Sequence, residues 1–322
     1  MKLFRRLLTA TTLVWCAALL SGCSERKPAD DRIVLGFSQI GAESEWRTAN
    51  TQSIKSAAET MNIDLRFSDA QQKQENQIKA LRNFIAQKVD VIAFSPVVET
   101  GWDTVLMEAK AAKIPVILTD RAVTSDPSLY QGFIGSDFVE EGRKAARWVS
   151  AQFKDAATDV NIVELQGTVG SAPANDRKKG FEEIIAANPH LKIVRSQSGD
   201  FTRSKGKEVM EAFLKAEPRK INVLYAHNDD MAIGAIQAIE EAGLKPGSDI
   251  LIVSVDAVKG AFEAMIAGKL NATVECNPLL GPQLMTSVTE VVAGRPIPKR
   301  IVVDEEMFTM ETAKQHIQSR KY

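Results

Sequence analysis

Residues 221–258 read INVLYAHNDDMAIGAIQAIEEAGLKPGSDILIVSVDAV, and they lay out one local plan twice. An apolar run from Ile221 to Ala226 has the length and β-branched character of a buried strand, and it breaks at His227-Asn228-Asp229-Asp230. Asp229 or Asp230 is the expected cap of the helix that follows, whose apolar residues are Met231, Ile233, Ala235, Ile236 and Ile239. Gly243 stops that helix, Pro246-Gly247 turns the chain, and a second apolar strand runs from Ile250 to Val255 and ends in Asp256. Strands this apolar are covered on both faces, as in a parallel sheet. They present Asn228 and Asp256 at the carboxyl edge, where open α/β sheets bind ligands.

Working outward, strand and helix patterns alternate from Arg32 onward. Strands are expected at 33–38, 64–69, 91–96 and 115–120, with helices near 47–61, 73–87 and 102–112 between them. Residues 130–137 read as a connection, and the pattern then restarts. Helices near 140–153, 176–187 and 205–216 alternate with strands at 161–166 and 192–198, leading into the two strands above. A strand at 271–276, a helix near 281–293 and a last strand near 299–303 close the chain. Repetition of topology without repetition of sequence predicts two similar α/β lobes, each a parallel sheet with right-handed crossovers.

The amino terminus has a different character. Lys2, Arg5 and Arg6 precede an apolar run from Leu7 to Leu20, short for a membrane span and shaped like a secretory signal. Leu20-Ser21-Gly22-Cys23 resembles a bacterial lipobox, so residues 1–22 are expected to be a lipoprotein signal, Cys23 the lipid-bearing first mature residue, and 23–31 a tether. This places the mature protein in the periplasm or at the cell surface, anchored to a membrane by lipid. With Cys16 removed and Cys23 lipidated, Cys276 stands alone and no internal disulfide forms. Loss of residues 1–22 leaves 37 basic against 41 acidic side chains, a net charge of −4, which is no footprint for nucleic acid.

The carboxyl ends of the strands carry a consistent set of side chains. Glu43, Ser44, Glu45, Trp46 and Arg47 follow the first strand, and Asp120-Arg121 end the fourth. Asn175, Asp176 and Arg177 follow 161–166, and Asn228 and Asp256 complete the set. Carboxylates, guanidinium groups, an amide and an indole suit a neutral polyol, because each hydroxyl both donates and accepts. Several hydrogen bonds to charged groups, about 1.5–3 kcal/mol each, less the losses of association, can reach the roughly 8 kcal/mol of a micromolar complex. On spacing alone, Arg177 within Arg177-Lys178-Lys179 reads as solvated, Phe201 as core and His227 as structural. Trp46 is either a hydrophobic staple or a cover for a sugar face.

Other chemistries are poorly served. No G-x-G-x-x-G follows a strand, no Walker loop is present, and G-x-S-x-G is missing. His190, His227 and His316 are scattered, and with one mature thiol a His-based metal centre or catalytic triad is hard to assemble. No enzyme activity, cofactor or metal is expected. A repressor of this fold class would need a helix-turn-helix at the amino terminus, and a furanosidase would need two carboxylates opposed across a bond.

FSQIGAESEWR, DAQQKQENQIKA, VELQGTVG, DRKKGF, RSQSGDFTRSKGKEVME and YAHNDDMAIGAIQAI resemble the type I periplasmic sugar-binding proteins of ABC importers, and within them the galactofuranose-binding branch. The resemblance spans about residues 33–282. It implies two Rossmann-like, doubly wound parallel-sheet lobes joined by a three-crossover hinge. The amino-terminal lobe would comprise 32–136 plus about 278–305, and the carboxyl-terminal lobe 137–277 plus about 306–322. It implies that Glu43, Trp46 and Arg47, with Asp120 and Arg121, reach a sugar from one lobe, and Arg177, Asn228 and Asp256 from the other, with Phe201 stacking on it. Glu45, Cys276 and Ala257 depart from the pattern of these relatives. The implied function is capture of a monosaccharide, galactofuranose first, by a monomer that delivers it to an inner-membrane permease. Galactose, ribose or arabinose as ligand, or delivery to a receptor kinase or chemoreceptor, are the alternatives.

Overall fold

The computed structural model describes residues 32–218 and 220–322; the expected signal, the tether and Cys23 lie outside the described residues. The chain begins β1 (Val34–Gln39), α1 (Glu45–Thr60), β2 (Asp64–Asp69), α2 (Gln74–Gln87), β3 (Val91–Phe94), α3 (Asp103–Ala111), β4 (Val116–Thr119) and β5 (Gly132–Gly135). It continues α4 (Phe138–Gln152), β6 (Val160–Gln166), α5 (Ala172–Ile185), β7 (Leu191–Ser198), α6 (Arg203–Ala216), β8 (Val223–Ala226), α7 (Asp229–Glu241), β9 (Leu251–Asp256), α8 (Lys259–Ile266) and β10 (Ala272–Glu275). It ends α9 (Gly281–Val292), β11 (Arg300–Val302), β12 (Met307–Thr309) and a short closing helix, Ala313–His316.

Two six-stranded sheets result, with orders β11-β5-β4-β3-β1-β2 and β12-β10-β9-β8-β6-β7. All pairings are parallel except β10 with β12. Each lobe is thus a doubly wound sheet, and the chain passes between them three times, at 136–137, 276–280 and 303–306. Central strands such as Val91–Phe94 and Val223–Ala226 are buried throughout because helices cover both faces. One lobe has separate apolar cores around Leu35, Phe37 and Leu284 and around Phe94, Trp102 and Leu106. The other has a single core built around Tyr225, Phe181 and Phe262. No helix of the described residues is long and apolar enough to cross a membrane.

The expected pattern lacks α8 and β12, and two further details differ. Residues 132–135 form a strand, not a connection, because Gly132–Gly135 pairs on both sides, with β4 and with β11. Asn228, not Asp229 or Asp230, caps α7: its extended backbone leaves the helix and its Oδ1 accepts from the Met231 amide at 3.0 Å. The two aspartates instead occupy the first helical turn, where the helix dipole favours negative charge.

Close helix packing places one of the candidate site residues directly. A methyl group added at Gly142 of α4 would lie 2.1 Å from the Arg177 carbonyl oxygen of α5. Glycine lets the two backbones touch, and this contact holds Arg177 against the sheet edge.

Candidate functional site

The β1–α1 turn brings four residues to the space between the lobes. Ser44 caps α1 by accepting from the Arg47 amide at 3.1 Å, so Trp46 and Arg47 lie in the first turn. Arg47 then sits in a buried cage, with Nε 3.0 Å from Glu43 Oε1, Nη2 2.7 Å from Asp120 Oδ2 and Nη1 3.2 Å from Gln39 Oε1. Burial works against its charge, but the Asp120 and Glu43 carboxylates outweigh that and hold the guanidinium above its usual value. Trp46 crosses to the other lobe, where its Nε1 donates to the Cys276 carbonyl at 2.6 Å and its ring joins the apolar core.

Arg121 follows at the end of β4. Its Nη1 donates to the Val97 carbonyl at 2.9 Å, while its Nε is buried without a protein partner and 3.8 Å from Asp120. An Asp120–Arg121 ion pair is therefore secondary, because Asp120 is taken by Arg47. Burial and the neighbouring positive charge of Arg47 lower the Arg121 value to about 10.

The facing lobe supplies Arg177, Phe201, Asn228 and Asp256. Arg177 is buried, not solvated as spacing predicts: Nε donates to Glu141 Oε2 at 2.7 Å, Nη1 to the His227 carbonyl at 2.5 Å, and Nη2 lies 3.7 Å from Asp256. Phe201 is both core and wall. Its ring packs over Gly167, where an added methyl would come within 1.9 Å, and both Arg121 and Arg177 stack on it at 5.1 and 6.0 Å. Asn228 Nδ2 donates to the Phe201 carbonyl at 3.1 Å, tying two loops together. Burial drives the Asp256 carboxyl well above the carboxylate range, opposed by Arg177.

Asp120, Phe201 and Asp256 all have positive φ, at 61°, 61° and 124°. Such backbone is uncommon for non-glycine residues, and three of the cavity-lining residues adopt it. Behind Asp256, the buried Asp229 accepts from the Thr273 hydroxyl at 2.8 Å, the Val258 amide at 2.9 Å and the Ser254 hydroxyl. It thereby fixes the strand end that aims Asp256. Its burial raises the carboxyl to about 7.

These side chains line one pocket between the lobes, with about 300 Å³ of atom-free space that runs on into open solvent. Its lining includes three guanidinium groups, Arg47, Arg121 and Arg177, and three carboxylates, Glu43, Asp120 and Asp256. Outside it the lobes touch directly: the Glu45 amide donates to Asp230 at 2.7 Å, and Asn175 Nδ2 to Glu99 at 2.5 Å. A mixed set of donors and acceptors in an aromatic-walled pocket suits a neutral ligand with a hydroxyl on most of its carbons.

The sequence pattern of the periplasmic binding protein domain matches residues 35–296. The chain belongs to the periplasmic binding proteins. It is 49% identical to the galactofuranose-binding protein YtfQ of Escherichia coli, covering 90% of this chain and 92% of that one. A Mycobacterium smegmatis protein solved in complex with β-D-fucofuranose is 59% identical, covers 90% of this chain and 95% of its own, and superposes with a TM-score of 0.88. The binding component of the arabinose ABC transporter from Shewanella sp. ANA-3, bound to α- and β-L-arabinofuranose, is 52% identical over 89% of this chain and 95% of its own, with a TM-score of 0.86.

In this periplasmic binding protein the residues expected at the sugar, Glu43, Ser44, Trp46, Arg47, Asp120, Arg121, Arg177, Phe201, Asn228 and Asp256, come to one cavity. Glu45 does not. It lies at the seam beside Gly260, 3.8 Å from Arg203, where burial and Asp230 raise its carboxyl. Pro173 and Cys276 line the cavity and had not been expected there. Cys276 follows the carboxyl end of β10, so the rule that selected Asn228 and Asp256 reaches it as well; Pro173, in the first turn of α5, carried no such signal. His227 is structural, its Nε2 3.0 Å from Glu164 in a buried pair.

Proposed function

We infer that this protein is the sugar-binding component of an ABC importer, taking a monosaccharide in its five-membered ring form, with galactofuranose the first candidate. The carrying observation is the cavity lining, three guanidinium groups and three carboxyl groups drawn from both lobes. A polyol, whose hydroxyls both donate and accept, can bridge these groups. The furanose ring is supported by what the similar proteins are described as binding: galactofuranose, β-D-fucofuranose and arabinofuranose. The sugar engages both lobes only in the closed form, so binding shifts an open–closed equilibrium towards closure. The protein catalyses nothing in this reading, in keeping with its similarity to sugar-binding proteins. Lipid at Cys23 tethers the protein to the membrane, and an inner-membrane permease receives the closed form. Delivery to a receptor kinase or chemoreceptor uses the same closure.

Calorimetric titration with D-galactose, L-arabinose and D-ribose tests the reading. Because only the furanose fraction of a dissolved sugar binds, the apparent Kd is the intrinsic value divided by that fraction. Galactose or arabinose is expected to bind more tightly than millimolar, and ¹³C NMR of the bound, labelled sugar to show a furanose anomeric signal. No binding tighter than millimolar by any sugar rejects the sugar assignment, and a bound pyranose signal rejects the ring form.

A further inference from the structure

The three passages between the lobes meet at a cluster directly behind the cavity wall, which Cys276 shares with the cavity. Glu141 of α4, Cys276 after β10 and Glu305 between β11 and β12 bring one carboxylate oxygen each, and the thiol sulfur, within 4.8 Å of one another. Ser136, on the first passage, donates its hydroxyl to Glu305 Oε1 and lies 3.4 Å from the Cys276 sulfur. The Asn277 amide, on the second passage, donates to the same Glu305 oxygen at 3.0 Å. Glu305 therefore ties all three passages together.

Glu141 is the connection to the sugar site. It is 1% exposed; its Oε2 takes Arg177 Nε at 2.7 Å, while Oε1 is buried without a donor. Two ionised carboxylates facing each other in a buried space repel, and an orphaned carboxylate oxygen carries a desolvation cost. A proton on Glu305 directed at Glu141 Oε1 removes both penalties at once.

We propose that Glu141 and Glu305 share one proton in the closed protein, and that this bonded pair positions Arg177 for the sugar while locking the three interlobe passages. The proton stays between the two carboxyl groups and no bond to the sugar is made or broken; this rests on the sugar-binding reading only for its effect on affinity. The surrounding charges agree with it. Arg177 faces the pair from α5 and Asp256 lies beyond it on β9. From α4, Lys144 donates to the Glu305 carbonyl, and from β11, Arg300 donates to the Ser136 carbonyl, so neither neutralises the Glu305 carboxylate by a direct bond. Burial, then the Glu141 charge, raises Glu305 to about 9; burial also raises Glu141, opposed by Arg177, and holds the Cys276 thiol protonated.

The sign of the effect follows. A carboxyl raised by folding or closure holds one proton more than its hydrated form between the ordinary carboxylate range and about pH 9. The folding constant of the closed protein therefore falls as pH rises through that window, by up to tenfold per pH unit, and that single dependence is divided between folding of the sugar-free protein and closure on the sugar. Glu305→Gln supplies a permanent donor in the same shape and removes the titration. In urea denaturation of the sugar-free protein from pH 6 to pH 8.5, the wild type is expected to lose stability relative to Glu305→Gln. D-Galactose affinity is expected to fall over the same range for the wild type and to stay level for the variant. Parallel profiles for the two proteins in both measurements overturn the shared proton. If neither protein binds D-galactose at any pH, that result counts against the sugar reading, and the stability profiles alone decide the carboxyl pair.

Discussion

Arg121→Ala is expected to weaken sugar binding at least thirtyfold, about 2 kcal/mol on the scale of hydrogen bonds to a charged group, while leaving the melting temperature of the sugar-free protein unchanged. Arg121 is a desolvated cation with one protein hydrogen bond of its own and a buried Nε that has none. Its carboxylate neighbour is occupied by Arg47 at 2.7 Å, so the fold gains little from its charge. What it gains is a donor at the end of β4, stacked on Phe201 of the facing lobe. Calorimetry and a thermal melt of the same variant separate the two effects. A drop of many degrees in the sugar-free melt would make Arg121 a structural residue.

Arg177→Ala is expected to differ, losing sugar binding and stability together. Removing the guanidinium strands Glu141 and Asp256 in the interior and leaves the His227 carbonyl without its donor. Breaking a buried pair from one side costs about 3–5 kcal/mol, and urea denaturation is expected to report a loss of that order. Arg177→Lys is not expected to restore the wild-type state, because an ammonium group cannot reach Glu141 and the His227 carbonyl with one planar fork. An unchanged unfolding midpoint for Arg177→Ala would contradict the central place given to this residue.

The contrast between these two arginines marks what the sequence discloses. Strand ends were legible because apolar runs that stop at a polar residue mark the carboxyl edge of a covered sheet; Asp120, Asn228 and Asp256 were found that way. Arg177 sat in a basic triplet, and its neighbours Lys178 and Lys179 gave it the look of a solvated face. Helical phase contains the missing signal: Phe181, one turn on, is wholly buried on the same face. Contacts between the lobes left no local trace. Trp46 bonds to a carbonyl 230 residues away, and the Glu141–Glu305 cluster depends on three chain passages meeting, which no window of sequence displays. The short strands β5 and β12 escaped for the same reason, since four residues between glycines, or three near the terminus, become strands only through their partners.

The account turns on a sugar gripped between the lobes, and a crystal structure of the protein grown with D-galactose tests this most directly. The expected result is a furanose ring in the cavity, walled by Trp46 and Phe201, with hydroxyls bonded to Arg121 from one lobe and Asp256 from the other. A bound sugar that touches only one lobe, or a cavity holding water alone in a crystal grown at saturating galactose, would contradict it.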